Sequence, residues 1–139
     1  MCIRDSSFSD AALAAGLGSS VVILFMHPSS RAATLRALVG GHLLAMVVGS
    51  VFTLILFSGV TNYYLEAAAP IRNITMAASV GVLIIVMALT DTEHPPAAGT
   101  VLGLTTKAWD FSTVLIVIAA VALLACIKVV LHRYLRDLL

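Results

Sequence analysis

Charge is what this sequence has least of. Only 8 Lys or Arg and 7 Asp or Glu occur in 139 residues, 11% of the chain, where a water-soluble domain carries about a quarter. Sixty per cent of the residues are apolar (60%, mean hydropathy +1.07), and a soluble core of this size cannot hide that much apolar surface. The net charge of +1 is not gathered into a basic face, which excludes a nucleic-acid partner. Cysteine is scarce too: Cys2 and Cys126 form no CxxC pair and no disulfide framework. HExxH, GxSxG, GxGxxG and P-loop motifs are all missing. The expectation is therefore a chain that is not an enzyme, with no cofactor and no metal. No apolar secretory core stands out before Ser9.

What is present is a set of four stretches without Asp, Glu, Lys or Arg: Ala11 to Ser30, Ala37 to Leu65, Asn73 to Thr90 and Phe111 to Ile127. Each is a candidate membrane span, and lipid requires each to be helical because no water is there to pair the backbone. The expected architecture is an all-α membrane bundle of about four transmembrane helices, spanning about 11–27, 37–60, 73–90 and 111–131. Residues 1–10 are expected to be a non-native or disordered start, and 11–139 a single transmembrane domain. Between the third and fourth spans, Asp91 to Asp110 begins too polar for lipid and continues into the small-residue run Ala97 to Leu104. This pattern predicts a loop followed by a short or re-entrant helix buried in protein.

Small residues recur four apart at Gly16 and Ser20, Gly41 and Ala45, Ala45 and Gly49, and Ala77 and Gly81. That spacing favours close helix packing within the fold or between protomers. With four spans both termini share a side, which carries Arg72, Lys128, Arg133 and Arg136 against Arg31, Arg36 and Lys107 opposite. Tyr63, Tyr64, Trp109 and Tyr134 fall near the expected span ends, as interfacial aromatics do.

Two loops echo each other, His27-Pro28-Ser29-Ser30 and His94-Pro95-Pro96-Ala97, each ending an apolar helix. As a parallel repeat they would lie on one side of the membrane and build a site where the halves meet; as plain punctuation, their prolines only end helices. Pro96 suits the first turn of the following helix, leaving N–H groups near Ala97 to Thr100 to face an anion, with Ser29, Ser30 and Thr100 hydroxyls beside them. Arg31 or Arg36 would balance the charge, or would mark topology. His42, inside an apolar span after Gly40-Gly41, is either functional or a hydrogen-bonding partner for a neighbouring helix. Asp91, Glu93 and His94 invite a metal reading with His27 and His42, but no spacing puts several of them on one helical face.

These residues, taken in order, resemble the HPP family of integral membrane proteins: Arg36, Gly40-Gly41-His42, His94-Pro95-Pro96, Gly99-Thr100 and Trp109. The resemblance runs from about Leu17 to Leu135. It implies a helical membrane protein and, since some members are nitrite transporters of plastids and photosynthetic bacteria, small-anion transport. The chain departs from the family pattern at Leu35-Arg36-Ala37, where many members have Pro-Arg-Asn, and at Asp91 and Glu93, where basic or apolar residues are common. Many members also begin with a further hydrophobic segment.

The sequence is thus expected to encode a transporter of a small solute, an inorganic anion such as nitrite. The expected substrate-binding residues are His27, Arg36, Gly41, His42, His94, Pro95, Pro96, Gly99 and Thr100. Its expected partners are the lipid bilayer, a small anion and further copies of itself in a homo-oligomer. Its expected location is a bacterial or archaeal inner membrane, or a plastid inner envelope. The competing expectation is a non-transporting scaffold or sensor subunit whose His-Pro loops are structural.

Overall fold

The computed structural model describes residues 2–57 and 69–135, and side chains over 8–57 and 72–135. All regular structure among them is helical: α1 (Cys2–Met26), a 3-10 turn (Arg31–Ala33), α2 (Leu35–Leu56), α3 (Ala69–Thr90), α4 (Ala97–Thr105) and α5 (Phe111–Leu131). Four helices contain stretches long and apolar enough to cross a membrane, Phe8–Met26, Leu35–Leu56, Arg72–Thr90 and Phe111–Leu131. At 1.5 Å per residue each of these stretches is about 28 to 33 Å long, the thickness of a hydrocarbon core.

Two boundaries and the topology bear on the sequence expectation. Helix α1 begins at Cys2, inside the segment expected to be disordered, and Ser9 is fully buried with its hydroxyl 2.6 Å from the carbonyl of Gly103. Helix α2 ends at Leu56; the expected continuation to residue 60, with Tyr63 and Tyr64, lies outside the described residues. The third difference is topological. The start of α5 lies where the Trp109 indole donates to Ser50 near the far end of α2, and its last turn reaches Pro28 and Ala33 through Lys128. So α5 runs parallel to α1, and Cys2 and Leu135 lie at opposite ends of the bundle. The expectation of a shared side fails because α4 descends from the loop end like a span without completing the crossing. Arg31, Arg36, Lys128 and Arg133 therefore gather at one end, and Arg72 and Lys107 at the other.

The nine-residue α4 is the centre of the molecule. It packs against α1, α2 and α3, and its Ala97, Thr100, Val101, Gly103, Leu104 and Thr105 are buried. Two apolar clusters meet on it and on α2: Leu24, Leu38, Met46, Leu104, Val117, Val121 and Leu124 on one side, and Ala45, Val48, Leu83, Met87, Ala97 and Val101 on the other. Helix α5 is apolar nearly all round, with Ile116, Leu123 and Val130 exposed, as expected for a helix facing lipid.

A half-helix at membrane depth leaves peptide groups unpaired at both ends, and each would cost several kcal/mol in hydrocarbon. At the lower end, the carbonyl of Gly103 accepts from Ser9 and Thr106, and that of Leu104 lies 2.7 Å from the Thr53 hydroxyl. The upper end closes on itself through successive turns, Ala97 N–H to His94 O, Ala98 N–H to Pro95 O and Gly99 N–H to Pro96 O. Helix α5 starts at an acidic cap, Asp110, whose carboxylate accepts from the Ser112 and Thr113 N–H groups and the Thr113 hydroxyl. These bonds, the Thr113 hydroxyl first, hold the Asp110 carboxyl below its ordinary pKa.

Glycine lets α1 and α4 touch. A Cβ on Gly99 would lie 2.6 Å from Gly16 Cα and 2.8 Å from Ala12 O, and one on Gly16 would lie 2.9 Å from Pro96 O. Gly81, in the outward pair with Ala77, has open space where its Cβ would be. We therefore expect Gly99→Ala to cost about 1–3 kcal/mol, because only backbone stands in the way and backbone cannot turn aside. Gly81→Ala should be neutral or stabilising by up to about 1 kcal/mol. Thermal unfolding of the two variants in detergent checks the contrast; equal midpoints would mean that α1 and α4 are not in close contact.

Candidate functional site

The polypeptide turns back into the bundle after α3 because of one residue. Asp91 takes a left-handed conformation (φ 52), while Asp91 N–H reaches Ala88 O and Thr92 N–H reaches Met87 O. That is a Schellman ending, in which Asp can stand in for glycine at a cost of about 1–2 kcal/mol. The reversal lays Thr92 and His94 against the paired glycines of α2. A Cβ on Gly40 would lie 2.7 Å from the Thr92 side chain, and one on Gly41 2.7 Å from His94 Cβ. Gly41 thus has a positioning role: it makes room for the His94 ring.

His94 then meets His42. Both rings are fully buried, with centroids 5.1 Å apart. Ser20 of α1 bridges them, its Oγ 3.0 Å from His42 Nε2 and 2.9 Å from His94 Nε2. The far nitrogens are also held, His42 Nδ1 at 2.9 Å from Thr100 Oγ1 and His94 Nδ1 at 2.7 Å from the carbonyl of Ala32. A single buried network therefore ties α1, α2, α4 and both loops together.

The loop between α1 and α2 is held from two sides. His94 takes the carbonyl of Ala32, and Lys128 of α5, only 8% exposed, donates to those of Ala33 and Pro28. No carboxylate pairs with Lys128 among the described residues. Ser30, in the same loop, has a buried hydroxyl with no partner among them. Burial pushes the His94 imidazole below its ordinary pKa; its bond to the Ala32 carbonyl opposes this, and nearby Lys128 adds to it.

Outside this network, a cleft of about 200 Å³ opens at the same end of the bundle, lined by Arg31, Thr34, Arg36, Ala37, Asp91 and Glu93. Asp91 lies 3.6 Å from both guanidinium groups, and Arg36 also donates to the Thr90 carbonyl at 2.7 Å, where the negative end of the α3 dipole attracts it. At the opposite end a second cleft, about 180 Å³, lies between Phe8, Arg72, Asn73, Met76 and Thr106.

The structure brings together His42, His94 and Thr100 of the sequence-predicted residues, with Gly41 and Pro96 supporting them. Gly99 lies away from this group, pressed against Gly16, and Pro95 is exposed in the loop. Arg36 lines the outer cleft. His27 is half-buried and takes no part in the network. Of the N–H groups expected to face an anion, Ala97 to Thr100, those of Ala97, Ala98 and Gly99 instead close the turns of the His-Pro-Pro loop itself. Asp91 and His94, three apart in sequence, point to different places: one to the surface arginines, the other inward.

Ser20 and Lys128 are the additions. Ser20 was legible only as the small partner of Gly16, yet a hydroxyl on the close-packed face of an apolar helix must bond to something. Lys128 read as an interfacial charge.

Removing the Ser20 hydroxyl takes the partner from two buried ring nitrogens. We expect Ser20→Ala to destabilise by about 2–4 kcal/mol, near 1–2 for each nitrogen. Ser19→Ala, on the exposed neighbour whose hydroxyl reaches only the Gly16 carbonyl of its own helix, should lie within about 0.5 kcal/mol of the native protein. Denaturation of both in the same micelles measures the difference; equal losses would remove Ser20 from the network.

A family model described as HPP, transmembrane region, matches residues 3–137 of the chain. No curated protein and no solved structure matches it.

Proposed function

The chain belongs to the HPP transmembrane family, and from that premise we propose that it moves a small inorganic anion, nitrite being the first candidate, across the membrane. The observation that carries the reading is α4: a helix broken inside the bundle, with buried polar side chains at its upper end and a cleft opening toward each face of the membrane. Discontinuous helices of this kind mark the sites of many transporters. Features of the loop end support a negatively charged solute. Arg31 and Arg36 line its cleft, and Lys128 lies below with carbonyls and, among the described residues, no carboxylate paired to it. The buried Ser30 hydroxyl adds a donor in the same loop.

In this reading the anion enters past Arg31 and Arg36, exchanging with Asp91 for their guanidinium groups, and passes toward the loop held by His94 and Lys128. The excess of Lys and Arg at the loop end supports placing that end in the cytoplasm. The outward strip of Ala77, Ala78 and Gly81 on α3 supports packing against a second copy of the chain, which would widen a pathway too narrow in one protomer.

A second reading has its own observation. Ser20, His42, His94 and Thr100 are fully buried and bonded to one another, which is also what a purely structural clamp looks like. On that reading the protein is a membrane scaffold or sensor subunit.

Uptake into liposomes separates the two. Nitrite flux, with nitrate, formate and bicarbonate as comparisons, should saturate in the native protein. It should fall about tenfold or more in Arg36→Ala and Lys128→Met, each of which removes a charge-assisted contact worth about 1.5 kcal/mol or more. A folded His94→Ala variant without flux supports the site. Full flux in that variant would remove His94 from the pathway, and no flux for any anion from folded native protein favours the scaffold.

A further inference from the structure

The buried hydrogen bonds between Thr100 and Ala32 have a direction, and it is fixed at one end. The Ala32 carbonyl only accepts, so His94 Nδ1, 2.7 Å away, carries a proton. A neutral His94 then offers a lone pair at Nε2, and Ser20 must donate to it across 2.9 Å. Ser20 has one hydroxyl proton, so toward His42 Nε2, at 3.0 Å, it accepts. His42 therefore keeps its own proton on Nε2 and takes the Thr100 hydroxyl proton at Nδ1, across 2.9 Å. The two imidazoles are opposite tautomers, and every donor in the series points from Thr100 toward Ala32.

Ser20 has a second position available. Its Oγ lies 3.0 Å from the carbonyl of Gly16, one turn back in α1. A hydroxyl oxygen accepts two hydrogen bonds while donating one. If the Ser20 proton turns to Gly16, the freed oxygen accepts from both rings at once, and His94 Nε2 is open to a proton.

We propose that the Ser20-bridged pair of His42 and His94 is a one-proton binding site, loaded at His94 Nε2 as the Ser20 hydroxyl swings from that nitrogen to the Gly16 carbonyl. No bond between heavy atoms changes and no buried group loses its partner. The incoming proton comes from water at the loop end and leaves by the same nitrogen.

The site holds one proton and not two. A second would have to sit on His42 Nδ1, turning the Thr100 hydroxyl from donor to acceptor and placing two cationic rings 5.1 Å apart. The charged surroundings are few. Lys128 faces the loop from α5 and works against loading, as burial does, so uptake falls below the ordinary imidazole range. Arg31 and Arg36 are engaged with Asp91, Glu93 lines the outer cleft beside them, and His27 stands at the end of α1 outside the network. Among the described residues, α1 and α4 meet the rings with the hydroxyls of Ser20 and Thr100. Use of this proton as the coupling ion rests on the transport reading above; its binding does not.

Nitrogen NMR of histidine-labelled protein in lipid bilayers tests the proposal, with His27→Gln and His132→Gln removing the other two imidazoles. At neutral pH we expect His42 protonated at Nε2 and His94 at Nδ1; on acidification one imidazolium per chain should appear, at His94, while His42 keeps its tautomer. Identical tautomers, a cation first at His42, or no ring that titrates before the protein unfolds would each overturn the assignment. Ser20→Ala should abolish the fixed split of tautomers, and a split that survives in folded Ser20→Ala would remove Ser20 from the site. The native-tautomer result stands even where that variant does not fold. A pH gradient should then drive nitrite flux in the native protein but not in His94→Gln. Absence of flux beside an intact NMR transition ends the transport reading and leaves the proton site in place.

Discussion

A helix that stops inside a membrane has to find partners for its end groups within the protein. Helix α4 does so with almost nothing but hydroxyls and its own preceding turn: Ser9, Thr53 and Thr106 at the lower end, the His94 to Gly99 turns at the upper. Two prolines at that upper end help by removing donors that would otherwise need acceptors. The rest of the bundle follows from this need. The flanking helices must come close enough for short side chains to reach, which is why Gly16, Gly99 and Gly103 line the α1 contact and Gly49 faces Leu104.

The same closeness creates the polar centre. With Gly41 clearing space for His94, the loop after α3 folds inward far enough for His94 to share Ser20 with His42, and the Ala32 carbonyl completes the bonding from above. The loop between α1 and α2 is thereby a strap with adjacent carbonyls tied to different helices, Ala32 to the His-Pro-Pro turn and Ala33 to Lys128 of α5. Movement of α5, which otherwise packs lightly against α1 and α2, would be felt at His94 through two peptide units.

The spans were readable because a charge-free run of this length has few other uses, and the half-helix because Asp91 to His94 is too polar for lipid while Ala97 to Leu104 is not. Both His-Pro loops do lie at one end, as a parallel repeat requires, but only the second sends its histidine inward; nothing in the two matching letters, His-Pro, could separate His27 from His94. Counting spans misplaced the termini, since hydropathy does not register that a nine-residue helix still reverses the direction of the chain. Of the free N–H groups expected at Ala97 to Thr100, the first three are spent on turns that follow the left-handed Asp91, a conformation that its residue type permits without announcing. Ser20 and Lys128 were visible as residues, but their roles depend on which helices touch, which no local pattern encodes.

The closure of α4 by its neighbours also bears on how the chain is made. Until α1 and α2 are side by side, the Leu104 carbonyl has no Thr53 hydroxyl to meet and that of Gly103 has only Thr106 of its own segment, so the stretch from Asp91 to Asp110 has no refuge in lipid. The half-helix therefore settles at membrane depth only in company with α1 and α2, and its place in the bundle is a property of the assembled helices.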